Sequence, residues 1–231
     1  MRKALNWLSG EGVEAILCVG DFATLSKDPL RDLELVRNEL QLLNDLGIPV
    51  LYVWGNRDLE LFSAIILLDD ALRREAQSLV HEILEMKNLI EVPRDARIKL
   101  FDGVYVTRNP LLLNDRTIYL THYDEVVRSC YLHIEGHVHY GQVSTRRYLN
   151  AGFVHRDELH GSEPLDGVVM ALHLDPESVL RVVVKPLGSV KPLVCPIHIE
   201  EGVFFVPETW RRCPVCYDWA RARLSRALPH P

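Results

Sequence analysis

No stretch of this chain approaches the ~18 consecutive apolar residues that a membrane-spanning helix needs. The longest candidate, residues 61–68, stops at Asp69-Asp70. The opening residues, Met1-Arg2-Lys3-Ala4-Leu5-Asn6-Trp7-Leu8, lack the apolar core and small-residue cleavage site of a secretory signal. A cytoplasmic address with no membrane partner is therefore expected. Cysteine is scarce: the chain has 5 in 231 residues, an odd number, with three of them near the C-terminus. That pattern excludes a disulfide scaffold and suits metal ligation better. Basic charge is not in excess either. With 26 Lys and Arg against 32 Asp and Glu the formal charge is −6, which excludes a chain that coats nucleic acid by bulk charge. Internal repeats and low-complexity tracts are absent.

What remains is an ordinary globular composition, 48% hydrophobic and 25% charged. The length suffices for one large core, or for one core with a small appended module. Residues 15–19 form a short apolar run stopped by Gly20-Asp21, as in a buried parallel strand. Leu30, Leu33, Val36, Leu40, Leu43 and Leu46 then recur at helical spacing, with Pro29 suited to the first turn and Gly47 to the stop. Residues 49–54 make a second buried strand, ended at Gly55, and residues 59–88 read as a long, mostly helical stretch. After Pro93 the pattern turns to strands, at 98–106, 117–121, 131–135, 142–150, 167–174 and 179–186. Strand–helix–strand followed by a run of strands predicts an α/β fold, a two-sheet α/β sandwich. The composition shifts near Lys191-Pro192, so we expect one domain over 1–190 and a small module over 191–231.

Four short motifs sit where strands end, the place where open α/β sheets collect ligands. They are Gly20-Asp21, Gly55-Asn56-Arg57-Asp58, Thr121-His122-Tyr123-Asp124 and Gly136-His137-Val138-His139. Each is a weak signal alone. Together they offer a carboxylate, an amide oxygen and three imidazoles, a mixed set suited to Mn²⁺, Fe or Zn²⁺ rather than Ca²⁺.

In its order of motifs the sequence resembles the calcineurin-like metallophosphoesterase superfamily, and within it the compact bacterial and archaeal phosphodiesterases whose third motif is Gly-Asn-x-Asp. Asn150-Ala151-Gly152 resembles the Asn-Pro-Gly step of that group, and the likeness covers about residues 1–190. The resemblance implies a metal-dependent phosphoesterase, a phosphodiesterase more than a monoesterase, acting on a phosphodiester or phosphomonoester by attack of a metal-activated water. It implies that Asp21 bridges two metals, that Asn56, His122 and His137 complete one metal site, and that His139 serves the other. Asn56, Arg57 and Asp58 are the catalytic candidates. Asp58 is expected to orient a ligand, and Arg57, standing where many relatives carry a general-acid histidine, to pair with phosphate oxygens.

The superfamily's opening Asp-x-His motif has no counterpart, since none of the first 20 residues is histidine. The chain is expected to begin just after the place where that motif lies. Three readings follow: a dinuclear phosphodiesterase whose start lies upstream, a catalytically impaired scaffold that binds a protein or nucleic-acid partner, or a site refilled by His155 or His160. Near the C-terminus, Cys195-Pro196-Ile197-His198 and Cys213-Pro214-Val215-Cys216 are two ligand pairs at x₂ spacing, which predicts a zinc-ribbon-like module with a structural Zn²⁺ on Cys195, His198, Cys213 and Cys216. Arg211, Arg212, Arg221, Arg223 and Arg226 make this module basic, a candidate nucleic-acid or protein contact.

Overall fold

The computed structural model describes residues 1–124, 126, 128–137, 141–145, 148–151, 168–187, 193–194 and 202–203. The first part of the chain alternates helix and strand: α1 (Arg2–Glu11), β1 (Ile16–Cys18), α2 (Pro29–Asn44), β2 (Val50–Tyr52), α3 (Asn56–Ile66), α4 (Asp70–Leu84) and β3 (Leu89–Glu91). Strands then follow one another: β4 (Ile98–Phe101), β5 (Val104–Thr107), β6 (Thr117–Leu120), β7 (Leu132–Glu135), β8 (Gly141–Thr145), β9 (Tyr148–Ala151), β10 (Val168–Leu174) and β11 (Val179–Pro186). Two short pieces, β12 (Leu193–Val194) and β13 (Gly202–Val203), complete the described strands. The fold is mixed α/β, with a parallel three-stranded sheet β1-β2-β3, a hairpin β10-β11, and an eight-stranded mixed sheet β12-β13-β8-β9-β7-β6-β5-β4. Among the described residues no helix is long and apolar enough to cross a membrane.

The helices start where local chemistry says they should. Asp28 caps α2 by accepting the Arg31 N–H at 3.1 Å, with Pro29 in the first turn. Asp69 caps α4 by accepting the N–H groups of Ala71 and Leu72. That second cap is why the helical stretch expected over 59–88 divides into α3 and α4. Residues 98–106 fold as the hairpin β4–β5, and residues 142–150, expected as one strand, fold instead as the hairpin β8–β9. In the first hairpin Gly103 takes φ 75°, a turn conformation that the Asp102-Gly103 step supplies. Strand β3 gave no apolar signal because its residues are half-buried or exposed at the sheet edge.

Alternation along β1 and β2 explains their unbroken apolar sequence. Ile16 and Val50 face a core shared with α1, α2, α3 and α4, through residues such as Leu5, Leu33, Leu40 and Leu61. Leu17, Val19, Leu51 and Val53 face a second core built with Val106, Ile118, Leu120, Leu132 and Leu149 of the eight-stranded sheet. A strand buried on both faces has no polar side to show. The hairpin also faces both cores, Val169 lying in the first and Met170 and Leu172 in the second. The expected boundary between 190 and 191, and with it Cys195, His198, Cys213 and Cys216, lies outside the described residues.

Leu120 is fully buried in the second core, the core that ties the two larger sheets together. Leu120→Ala is expected to cost about 2–5 kcal/mol through lost burial and the cavity left behind, read as a lower urea midpoint at an unchanged slope.

Candidate metal centre

The site forms where two pairs of parallel strands end. Residues just past β1 supply Asp21, the first turn of α3 after β2 supplies Asn56, the residues after β6 supply His122, and those after β7 supply His137. Strands β1 and β2 are adjacent and parallel, as are β6 and β7. Each pair therefore delivers its two loops to the same edge.

Backbone proximity brings Asp21 to Asn56. Gly20 has φ 84°, and a Cβ there would lie 2.7 Å from the Trp54 carbonyl carbon and closer still to the Gly55 nitrogen. Across the contact, a Cβ on Gly55 would overlap the Asp21 carboxylate. Only two glycines allow the two chains to meet this closely. Asp58, 1% exposed, locks the junction. Its carboxylate accepts the N–H groups of Asp21 at 2.9 Å, Gly55 at 2.8 Å and Ala23 at 2.8 Å. Burial pushes the Asp58 carboxyl above the usual carboxylate range, with the nearby Asp21 charge adding to the push, while the three amides oppose it. In this arrangement Asp58 positions the loops and does not reach the site. The Arg57 N–H donates to Asp21 Oδ1 at 2.9 Å, so Arg57 contributes its backbone to the centre.

The second pair of loops is fastened to the first through Val19. Its carbonyl accepts the His122 Nδ1 proton at 2.6 Å, and its side chain packs where a Gly136 Cβ would fall. The Gly136 N–H in turn donates to the His122 carbonyl at 3.0 Å. With its proton fixed on Nδ1, a neutral His122 presents a bare Nε2 lone pair. That nitrogen faces Asn56 Oδ1 at 2.9 Å, His137 Nδ1 at 3.1 Å and Asp21 Oδ2 at 3.3 Å, and His137 Nδ1 lies 3.0 Å from Asn56 Oδ1. One ligand atom from each of Asp21, His122 and His137 lies within 4.8 Å of the others.

Two oxygens and two imidazole nitrogens thus converge on one point, an arrangement suited to holding a cation. Asp21 and His137 are also the two described non-glycine residues with positive φ, 59° and 66°. Backbone held in this disfavoured region concentrates at working sites. Burial disfavours ionised Asp21, but the His122 ring, the Arg57 amide and the charges of His122 and His137 together hold its carboxyl below the usual range. Burial likewise disfavours protonated His122, and Asp21 with the Val19 carbonyl outweighs it, raising the imidazole above its ordinary value. A carboxylate, an amide oxygen and two imidazoles make a mixed oxygen and nitrogen donor set that a divalent cation would fit. His139, His155 and His160 lie outside the described residues.

Further residues support the centre, and Tyr119, His133, Glu135 and Tyr148 among them carried no sequence signal. Tyr123 packs its ring 4.9 Å from that of His137. On the face of the eight-stranded sheet turned away from its apolar core, Tyr119, His133 and Tyr148 pair in register across three strands. Beside them Glu135, fully buried, accepts the Tyr148 hydroxyl proton and the Asp124 N–H, the latter at 3.3 Å. Asp124 binds Arg128 and Tyr119, so Glu135 steadies the segment just after His122. Beneath the site, burial pushes the Cys18 thiol up to about 12, which makes it an unreactive core residue. No protein-family model matches the chain, and no curated protein matches it.

The two shifts set opposite pH limits in metal-free protein. Lowered Asp21 stabilises fully above about pH 4 and loses that effect as pH falls through its folded value. Raised His122 stabilises fully below about pH 6.5 and loses it as pH rises through its folded value. In EDTA, the Tm difference between wild type and Asp21→Asn is expected to peak between about pH 4 and 6.5. The Tm increment given by Mn²⁺ is expected to grow above that window, because ligation needs neutral His122.

Gly20→Ala offers a second check. The strained φ and the collision with the Gly55 backbone are expected to cost at least ~2 kcal/mol and to weaken Mn²⁺ binding, measured together by thermal melts with and without metal.

Proposed function

We propose that this chain is a metal-dependent phosphoesterase of the calcineurin-like metallophosphoesterase type, acting on a phosphodiester in preference to a phosphomonoester. The observation that carries the reading is the convergence of Asp21, Asn56, His122 and His137 from four strand ends, with His122 held in the tautomer that frees Nε2. The second core, which joins apolar faces of the parallel and eight-stranded sheets, supports a two-sheet sandwich for the main domain. The 191–231 segment completes the proposal as a zinc-ribbon-like module, its Zn²⁺ on Cys195, His198, Cys213 and Cys216. A cytoplasmic location suits such thiol ligands.

Asp21, Asn56, His122 and His137 would hold the catalytic cation, for which Mn²⁺ is the first choice and Fe or Zn²⁺ the others. A divalent ion in that place supplies Lewis acidity toward a phosphate oxygen and toward the attacking water. The chain's own residues do the rest. Asn56 brings a neutral oxygen, so the site carries a single carboxylate, Asp21, among its four ligands and repels an approaching phosphate less than an all-acid site. Asp58 keeps the Asp21 and Asn56 loops in register, as Glu135 does for the His122 segment. Arg57, in the first turn of α3, stands near enough in sequence to Asn56 to offer its guanidinium to phosphate oxygens. As arginine does not give up a proton at neutral pH, the leaving group takes its proton from water, which favours diesters with good leaving groups.

The test is Mn²⁺-stimulated hydrolysis of bis(p-nitrophenyl) phosphate. Asp21→Ala and His137→Ala are each expected to lower kcat/KM by on the order of 100-fold or more, with Mn²⁺ content by elemental analysis falling in parallel. Undiminished turnover in both variants would falsify the site assignment. Mn²⁺ bound stoichiometrically without turnover of mono- or diesters favours the non-catalytic scaffold instead.

A further inference from the structure

A cavity of about 510 Å³ opens beside the candidate metal centre, and Asn56, His122, Arg94 and Arg108 are among the residues that line it. That volume is of the size that holds a whole small ligand, far more than one phosphate group. In a chain of net charge −6, none of the described residues lining this cavity is acidic. We propose that the arginine wall is an anion subsite, which binds a second anionic group carried by the substrate beyond its scissile phosphate. The assignment of the neighbouring phosphate rests on the phosphoesterase reading, but the subsite itself does not.

The wall is built and held. Asn109 donates its side-chain amide to the Arg94 carbonyl at 2.8 Å, the Thr107 hydroxyl donates to the Ala96 carbonyl at 3.2 Å, and Arg97 Nε donates to the Leu112 carbonyl at 2.8 Å. These bonds clasp the link between β3 and β4 to the turn at Pro110–Leu112. Arg108 is fixed from below, since its Nη2 donates to Glu91 Oε1 at 2.8 Å while Trp54 Nε1 donates to Glu91 Oε2 at 3.0 Å. Glu91 offsets one of the two guanidinium charges. Arg94 makes no ion pair among the described residues, is exposed, and leaves its charge available. One fixed and one free guanidinium on the lining of a cavity that also holds Asn56 and His122 suit an anion with several oxygens, a phosphate or a carboxylate, which arginine binds through paired N–H donors. The substrate class that follows is a phosphate ester with a further anionic group on its other half.

The test needs neither turnover nor metal. Trp54 lines the cavity, so tryptophan emission of the whole chain in EDTA is followed during titration with inorganic pyrophosphate, and in a parallel arm with malonate. A saturable change that Trp54→Phe removes is expected. Arg94→Gln is expected to weaken binding about tenfold or more, and its guanidinium has no bond whose loss would unfold the protein. Arg74→Gln, an exposed arginine of α4 that does not line the cavity, is expected to bind as wild type does. Tighter binding of pyrophosphate assigns a phosphate, and tighter binding of malonate a carboxylate. No saturable response in either arm, or equal affinity in wild type and an Arg94→Gln/Arg108→Gln double variant, overturns the proposal. A chain that binds pyrophosphate in this way yet fails to hydrolyse diesters keeps the subsite and loses only the phosphoesterase reading.

Discussion

One hydrogen bond, from His122 Nδ1 to the Val19 carbonyl at 2.6 Å, does more than any other contact to define this molecule's working edge. It joins the segment after β6, in the eight-stranded sheet, to the end of β1, in the parallel sheet. It also decides which nitrogen of His122 carries the proton, and therefore which one is free to bind. A backbone carbonyl is a good choice for this task because its position follows from the strand, whereas a side-chain acceptor would bring rotamers of its own. The packing of Val19 against Gly136 then sets the place of His137 from the same residue. The geometry of the centre thus rests on the seating of β1 between two apolar cores.

Two buried carboxylates stabilise the two halves of the edge in different ways. Asp58 is surrounded by backbone amides from the Asp21 and Asn56 loops, so that it replaces the hydrogen bonds which tightly turned backbone cannot make with itself. Glu135 instead meets side chains, the Tyr148 hydroxyl and the ring of His133, with Nε2 3.5 Å from its Oε2, and only one loop amide, that of Asp124. Burying a carboxylate is unfavourable unless it is well bonded, and both are bonded to the segments that carry the candidate ligands. Removing either leaves buried donors without partners, so their mutation should disturb the ligand geometry together with the fold.

Much of this edge was legible from residue order. Glycine followed by a polar ligand at the end of an apolar run marks a strand end, and Asp21, Asn56, His122 and His137 do meet in space. Local signals also located β1, β2 and α2. What the sequence hid was whatever depends on partners far along the chain. The apolar spacing of 142–150 is equally compatible with one strand or with a hairpin, and the register of neighbouring strands decides. Strand β3 is too short and too exposed to carry a pattern. Arg94 and Arg108 come from separate segments, and their common cavity exists only once Asn109 has tied those segments together. A glycine at the end of an apolar run suits a sharp turn. Gly20 and Gly55 also have a second role, close backbone approach, which no local signal reveals.

Histidine shows why residue type alone could not assign the site. His122 and His133 both sit at or near the end of a strand, and both approach a carboxylate. His133 is fully buried, and its Nδ1 accepts the Arg128 N–H at 3.2 Å. Its proton therefore lies on Nε2, turned toward Glu135. His122 has the reverse tautomer: Nδ1 gives its proton to Val19, and Nε2 turns a lone pair toward Asn56, His137 and Asp21. In the first case one ring nitrogen is taken by a backbone N–H and the other is turned toward a carboxylate inside the core. In the second, one nitrogen anchors the ring and the other is left able to act as a ligand. The difference is made by two backbone groups, an amide in one place and a carbonyl in the other, and those groups are positioned by the fold.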